Sequence, residues 1–253
     1  MQLQLSTWQE VEAYLQTSTG IIVPIGSTEQ HGPNGFIGTD ALCPEVLAKA
    51  VGDETGALVA PTIAVGMAQH HLGFPGSITL RPSTLIAVVQ DQVNSLARHG
   101  FDRFYFLNGH GGNIATVTAA FAEIYAETSL GKAGDNRPPI VCKLRNWFES
   151  TGVQRISKKR FGAKEGSHAT CSEVSLTYHA YPDHVKRVEM SPEVAPNGPF
   201  TDCHDYRRRF PDGRMGSAPH LATPEIGREL FEAAVKDIAE DYTSFVKGAR
   251  SAA

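Results

Sequence analysis

The chain has 253 residues, enough to bury a full hydrophobic core, and reads as one α/β domain over residues 1–253. Its 23 basic against 27 acidic residues leave a net charge of −4, which offers no electrostatic footprint for nucleic acid or an anionic membrane and points to small-molecule chemistry. Cys43, Cys142, Cys171 and Cys203 are scattered without CxxC spacing, as reduced cysteines are, and the start Met1–Thr7 lacks a secretory signal, so a cytoplasmic protein without a membrane span is expected.

In chain order, Ser6 and Thr7 precede Trp8, Val11, Tyr14 and Leu15 at helical spacing, and Thr7 with Glu10 has the form of a capping box, so a short first helix is predicted. Residues 21–26 are a continuous apolar run of strand length, the pattern of a strand buried on both faces of a parallel sheet. Ala41 to Val51 reads as a helix with Leu42, Val46, Leu47 and Ala50 on one face and Thr39 or Asp40 as its cap. Leu58 to Ile63 is the next predicted strand, followed by a loop carrying His70, His71, Gly73, Pro75 and Gly76. A helix over Arg81–Gly100 begun by Pro82, a strand over Arg103–Leu107, a glycine-rich turn and a helix over 114–128 continue the alternation. A fourth strand, Ile140–Leu144, follows a polar connection rich in Gly, Asp, Asn and Pro. Helices over 171–180 and 224–246 come later, the last capped by Thr223 with Pro224 in its first turn. Residues 146–168 and 190–222, rich in Gly, Pro, Ser and charge, read as long functional loops. Strand and helix alternating over residues 20–145 argue a three-layer doubly wound fold.

Chemistry concentrates beyond the ends of two of these strands. The first is followed by Glu29-Gln30-His31 and Asp40, and the third by Asn108-Gly109-His110-Gly111-Gly112-Asn113. Open α/β sheets bind ligands in the crevice outside the carboxyl ends of their strands, so one shared site is expected. A catalytic divalent metal takes oxygen and nitrogen ligands, and Glu29, His31, Asp40 and His110 supply them. Alternation along an extended segment points Glu29 and His31 the same way and Gln30 away. Taken singly, Glu29 and His31 also read as polar residues of a surface turn and Asp40 as a helix cap; a carboxylate has lone pairs enough for both tasks.

The glycine turn around His110 also suggests a phosphate cradle, but it is neither GxGxxG nor GxxxxGK[ST]; the glycines more plainly let backbone approach a metal site and donate to a developing oxyanion. In Gly166-Ser167-His168-Ala169-Thr170-Cys171-Ser172-Glu173, His168 is a candidate general acid or base, and Glu173 a further ligand or the residue that activates water. The alternative is that Ser167 caps a helix with Glu173 in its first turns. Cys171 near His168 raises thiol catalysis, against the commoner role of a small core hydrophobe. His70 and His71 are expected to line a pocket. Arg155, Lys158, Lys159, Arg160, Lys164 and Arg207-Arg208-Arg209 are read as a solvated loop or subunit contact in preference to a trap for an anionic substrate.

These motifs resemble the creatininase (creatinine amidohydrolase) family: Gly26-Ser27-Thr28-Glu29-Gln30-His31-Gly32-Pro33, Thr39-Asp40, His71-Leu72-Gly73-Phe74-Pro75-Gly76-Ser77, Asn108 to Asn113, His168 with Glu173-Val174-Ser175, and Asp212-Gly213-Arg214-Met215-Gly216. The resemblance spans nearly the whole chain. It implies a three-layer α/β/α sandwich with a mostly parallel sheet, two divalent metal ions (zinc with zinc, manganese or iron), and a homo-oligomer, commonly a hexamer. By the same resemblance Glu29 and His110 bind one metal, His31 the other, Asp40 bridges them with a water or hydroxide between, and His168 handles the proton passed to the leaving nitrogen. Members that hydrolyse creatinine carry Tyr-Glu where this chain has Gly111-Gly112, so a carboxylate is missing and Glu173 is its natural substitute as second-metal ligand. The implied activity is metal-dependent hydrolysis of a non-peptide C–N bond, in a cyclic amide or formamide of a small molecule, by a metal-bridged hydroxide. The alternatives are a metallopeptidase trimming a small peptide in cofactor maturation and an inactive metal-stabilised oligomeric scaffold.

Overall fold

The computed structural model describes residues 1–131 and 139–248, so most of the polar connection before the fourth strand lies outside the described residues. Four parallel strands, β1 (Gly20–Ile25), β2 (Leu58–Val59), β3 (Arg103–Asn108) and β4 (Val141–Asn146), form a sheet in the order β2-β1-β3-β4. Among the described residues the α-helices are α1 (Trp8–Leu15), α2 (Thr39–Thr55), α3 (Pro82–Ala97), α4 (Asn113–Ser129), α5 (Thr151–Arg160), α6 (Cys171–Ala180), α7 (Cys203–Arg209) and α8 (Pro224–Lys247). None is long and apolar enough to cross a membrane.

Because successive strand side chains alternate between faces, the buried strands feed two cores. Ile21, Val23, Ile25, Phe104 and Phe106 pack with Leu85, Val89 and Val93 of α3, Val117, Ala120 and Phe121 of α4, and the apolar edge of α1. Ile22, Tyr105 and Leu107 pack on the opposite side with Leu47 and Val51 of α2, Val153 of α5, Leu176 of α6 and Leu230, Ala234 and Ile238 of α8. The result is the three-layer α/β/α sandwich expected. Each fully buried Ile or Phe contributes about 1.5–3 kcal/mol, and the continuous apolar runs are what let both faces be covered.

β1 leads to α2 on one face of the sheet, whereas β3 leads to α4 on the other. The two strands are neighbours, with Ile25 level with Asn108. Connections that diverge from adjacent parallel strands open a crevice between them, and this topological switch is where ligands bind in open α/β sheets.

Several sequence expectations need correction. β2 ends at Val59 rather than Ile63, because Pro61 cannot donate to the ladder; pairing resumes only as an isolated bridge between Ile25 and Ile63. Asp40 does not cap α2: the helix starts at Thr39 after Gly38, which frees the Asp40 side chain for the crevice. The two supposed loops contain helices. α5 was hidden by its basic surface and buries Val153, while α7 is only seven residues long and is capped by Asp202, whose carboxylate accepts from the His204 and Asp205 N–H groups.

Candidate metal centre

Two glycines bring Asp40 into the crevice. A Cβ on Gly26, just past β1, would lie 2.0 Å from the Asp40 carbonyl oxygen, and one on Gly109, just past β3, would lie at the same 2.0 Å. Only bare backbone at both strand ends lets the first turn of α2 enter between them. Glu29 is held from the other direction by its N–H donating to the Ile37 carbonyl at 2.8 Å. Glu29, His31, Asp40 and His110 are all buried.

Two overlapping groups of ligand atoms result, Glu29/Asp40/His110 and His31/Asp40/Glu173, each with its atoms within 4.8 Å of one another. His110 Nδ1 is 2.8 Å from Asp40 Oδ2 and its Nε2 is 3.4 Å from Glu29 Oε2. His31 Nε2 is 3.0 Å from Asp40 Oδ1 and 3.8 Å from Glu173 Oε1. A third group joins Glu29 and His31 to His168. Backbone carbonyls fix the histidine tautomers: His31 Nδ1–H donates to the Glu29 carbonyl at 3.0 Å, His110 Nε2–H to Met67 at 2.9 Å, and His168 Nε2–H to Gln30 at 2.8 Å. Each ring thereby turns its other nitrogen to the cluster, the arrangement by which outer partners orient metal-binding histidines.

The donor set fits a cation. Among the described residues, both Glu29 carboxylate oxygens and Asp40 Oδ2 are buried with histidine ring nitrogens as their only polar neighbours, and no backbone, amide or hydroxyl donor reaches them. Leaving buried carboxylate oxygens unsatisfied is costly, and a divalent ion removes that cost. Burial opposes charge on His31 and His110, but Asp40 (for His31) and Glu29 with Asp40 (for His110) outweigh it and push them up to about 10 and about 9. Burial would raise Asp40, yet His31 and His110 hold its carboxyl well below the ordinary range. Burial raises Glu173 to about 7 against the pull of His31, and burial together with His71 and His31 keeps His168 neutral.

Thr170 rather than Ser167 caps α6, and Glu173 completes its capping box: Glu173 Oε1 accepts from the Thr170 N–H at 2.5 Å. That oxygen also faces His31 at 3.8 Å, so the capping role leaves Glu173 within reach of the cluster as a candidate ligand. His168 is fixed by an antiparallel bridge to Met215, and Ala169 after it is the only non-glycine residue with positive φ (51°) among the described residues. That conformation costs about 1–2 kcal/mol and holds the His168 side chain in the cavity.

Gln30 does not face away, as alternation suggested; its amide contacts His71, His168 and Gly213. His71 is more than a lining residue, since its Nε2 lies 3.1 Å from Glu29 Oε1; the doublet His70-His71 beside glycines was the available signal. Tyr206 and Phe200 were missed because they come from the region read as loop. With His70 they form an aromatic wall, Phe200 stacking on His70 at 4.8 Å, around a cavity of about 650 Å³ that Gly111, Gly112, Met67 and Met215 also line. Cys171 shares its one S–H between the Lys164 and Ala218 carbonyls, and burial pushes its thiol up to about 12, which disfavours the nucleophilic thiolate. The basic residues lie outside: Arg160 pairs with Glu229, Lys164 with Glu193, and Arg208 and Arg209 with Asp205.

A parallel α/β sandwich with an Asp-centred cluster of carboxylates and histidines at its switch point defines an α/β metal-site protein. The sequence model of the family described as "Creatininase: Creatinine amidohydrolase" matches residues 4–242, and the chain belongs to that family of hydrolases. It is 29% identical to the creatinine amidohydrolase of Pseudomonas putida over 92% of this chain and 93% of that protein. It is 36% identical to the mycofactocin precursor peptide peptidase of Mycolicibacterium smegmatis over 67% of this chain and 61% of that protein. The solved structure "Creatininase Mn" superimposes with a TM-score of 0.83 at 26% identity, over 97% of this chain and 98% of that one.

Proposed function

We propose that this hydrolase is a metal-dependent amidohydrolase that cleaves a non-peptide C–N bond, a cyclic amide or formamide, in a small molecule. The observation that carries the reading is Asp40, shared by two candidate ligand groups. Glu29, Asp40 and His110 would hold one ion, and His31, Asp40 and Glu173 the second. Zinc, manganese and iron suit this nitrogen and oxygen set. Bound there, two such ions supply carbonyl polarisation and a lowered pKa for water. His168 moves the proton at Nδ1, because its Nε2–H is committed to the Gln30 carbonyl, and delivers it to the leaving nitrogen. Phe200, Tyr206 and His70 orient a planar group and exclude water. Gly111-Gly112 stands where creatinine-hydrolysing members carry Tyr-Glu, which weighs against creatinine as the substrate.

A second reading, trimming of a small peptide, is supported by the 36% identical peptidase and by a cavity wall that Gly111 and Gly112 leave without side chains. Metal content by mass spectrometry, paired with parallel screens of small amides and short peptides, tests both. Wild type is expected to hold about two ions per chain and Asp40→Ala close to none, with turnover on amides only. Wild type that stays metal-free when purified without chelators would sink the dinuclear centre, and turnover on peptides alone would make the second reading the right one.

A further inference from the structure

The Gln30 side chain ties together three segments far apart in sequence. Its Oε1 accepts the Gly32 N–H at 2.8 Å, and its Nε2 lies 2.9 Å from His71 Nδ1, from the Gly213 carbonyl and from His168 Nε2. The amide cannot be turned over, because that would set its NH₂ against the Gly32 N–H and its oxygen against the Gly213 carbonyl.

Counting protons then leaves one solution. An amide NH₂ has two hydrogens and here three neighbours at 2.9 Å, while the nearby Tyr206 hydroxyl spends its own hydrogen on the Gly213 carbonyl. His168 Nε2 already carries a hydrogen, since the Gln30 main-chain carbonyl it faces at 2.8 Å has none to give. The two amide hydrogens therefore go to Gly213 and to His71 Nδ1. His71 Nδ1 is then an acceptor, and the ring's only proton sits on Nε2, 3.1 Å from Glu29 Oε1. The other rings differ, being tied through an N–H to backbone carbonyls.

We infer that Gln30 is a positioning residue whose side-chain amide fixes His71 as the Nε2–H tautomer and thereby aims a donor at the Glu29 carboxylate. Room for this was made elsewhere in the chain: Gly213 has φ +89°, and a Cβ there would lie 1.9 Å from Gln30 Oε1. His71 itself is clamped between the His168 ring (4.2 Å) and Tyr206 (4.6 Å), so it cannot swing to another partner. Outer partners of this kind decide which oxygen of a carboxylate is left for a cation. That consequence rests on the metal-centre reading above, whereas the tautomer itself does not.

The test is nitrogen-15 solid-state NMR on zinc-loaded, histidine-labelled protein, with the His71 signals identified by their loss in His71→Gln. Wild type is expected to show His71 protonated on Nε2 alone. Gln30→Glu, which accepts where glutamine donates, is expected to move that proton to Nδ1. Gln30→Met is expected to abolish the single tautomer and to weaken zinc retention against a fluorescent chelator by about 10–100-fold. In both variants His168 keeps its Nε2–H, because its partner is main chain. A wild-type His71 protonated on Nδ1, which is read without any variant, overturns the inference; so do both variants leaving tautomer and retention unchanged. Failure of wild type to bind zinc would instead defeat the metal centre and leave the tautomer to be judged from the same spectrum.

Discussion

At the scale of single residues, the site is a balance of charge in a buried crevice. Without an ion, His31 and His110 stay protonated past neutral pH, because Asp40 and Glu29 outweigh the burial that would discharge them. Coordination needs the lone pairs that those protons occupy. Metal binding at pH 7 should therefore release protons, and apparent affinity should climb with pH until about 9–10, where both rings have discharged unaided. Calorimetry of zinc binding in buffers of different ionisation heat measures this; affinity independent of pH between 6 and 9 would contradict the assigned ligands. Cys171 supplies a second prediction. Burial pushes its thiol up to about 12, so iodoacetamide at pH 8 should leave it unlabelled in the folded protein and Cys171→Ala should keep full turnover. Rapid labelling of Cys171 with loss of activity would restore the thiol mechanism. The candidate ligands Glu29, His31 and His110 are legible because acids and histidines stand just after apolar strands. His71 was not, since nothing in a His-His doublet says which ring meets Glu29.

At the scale of elements, the strand ends matter more than the strands. Gly109→Ala puts a methyl 2.0 Å from the Asp40 carbonyl, so β3 and α2 must separate. A loss of about 1–3 kcal/mol is expected, with Tm lower by roughly 2–12 °C by calorimetry. Gly111→Ala is the control: nothing lies within 4 Å of its added methyl, and its Tm should match wild type. Equal melting of the two would mean that α2 does not depend on the close approach. Helix caps show what pattern reading resolves well and poorly. Thr7 with Glu10 was recognisable as a capping box, and the structure has it. Thr170 with Glu173 has the same form, but competing roles for Ser167 and Glu173 obscured it. α5 and α7 escaped because a short basic helix with few apolar residues has the composition of a loop; their burial against neighbours, not their own periodicity, makes them helical.

At the scale of the whole molecule, the fold places candidate functional residues from six separate segments around one crevice: 29–31, 40, 70–71, 108–113, 168–173 and 200–206. We expect a hexamer, by family resemblance, and light scattering on the purified protein decides it; a monomer at micromolar concentration would refute that expectation. The sequence by itself determined the architecture, because continuous apolar runs separated by amphipathic helices admit little else than a parallel sheet covered on both faces. It also determined the six principal candidates, Glu29, His31, Asp40, His110, His168 and Glu173, whose chemistry is written in their residue types. The family resemblance already pointed to Asp40 as the bridge and to Glu173 as the substitute for a carboxylate beside His110; only the tertiary structure shows the distances that bring Asp40 within reach of both candidate ligand groups and the Gln30 amide within reach of His71 and Gly213. Those facts depend on distances between segments up to 183 residues apart, such as Gln30 and Gly213, and local pattern carries no information about such distances.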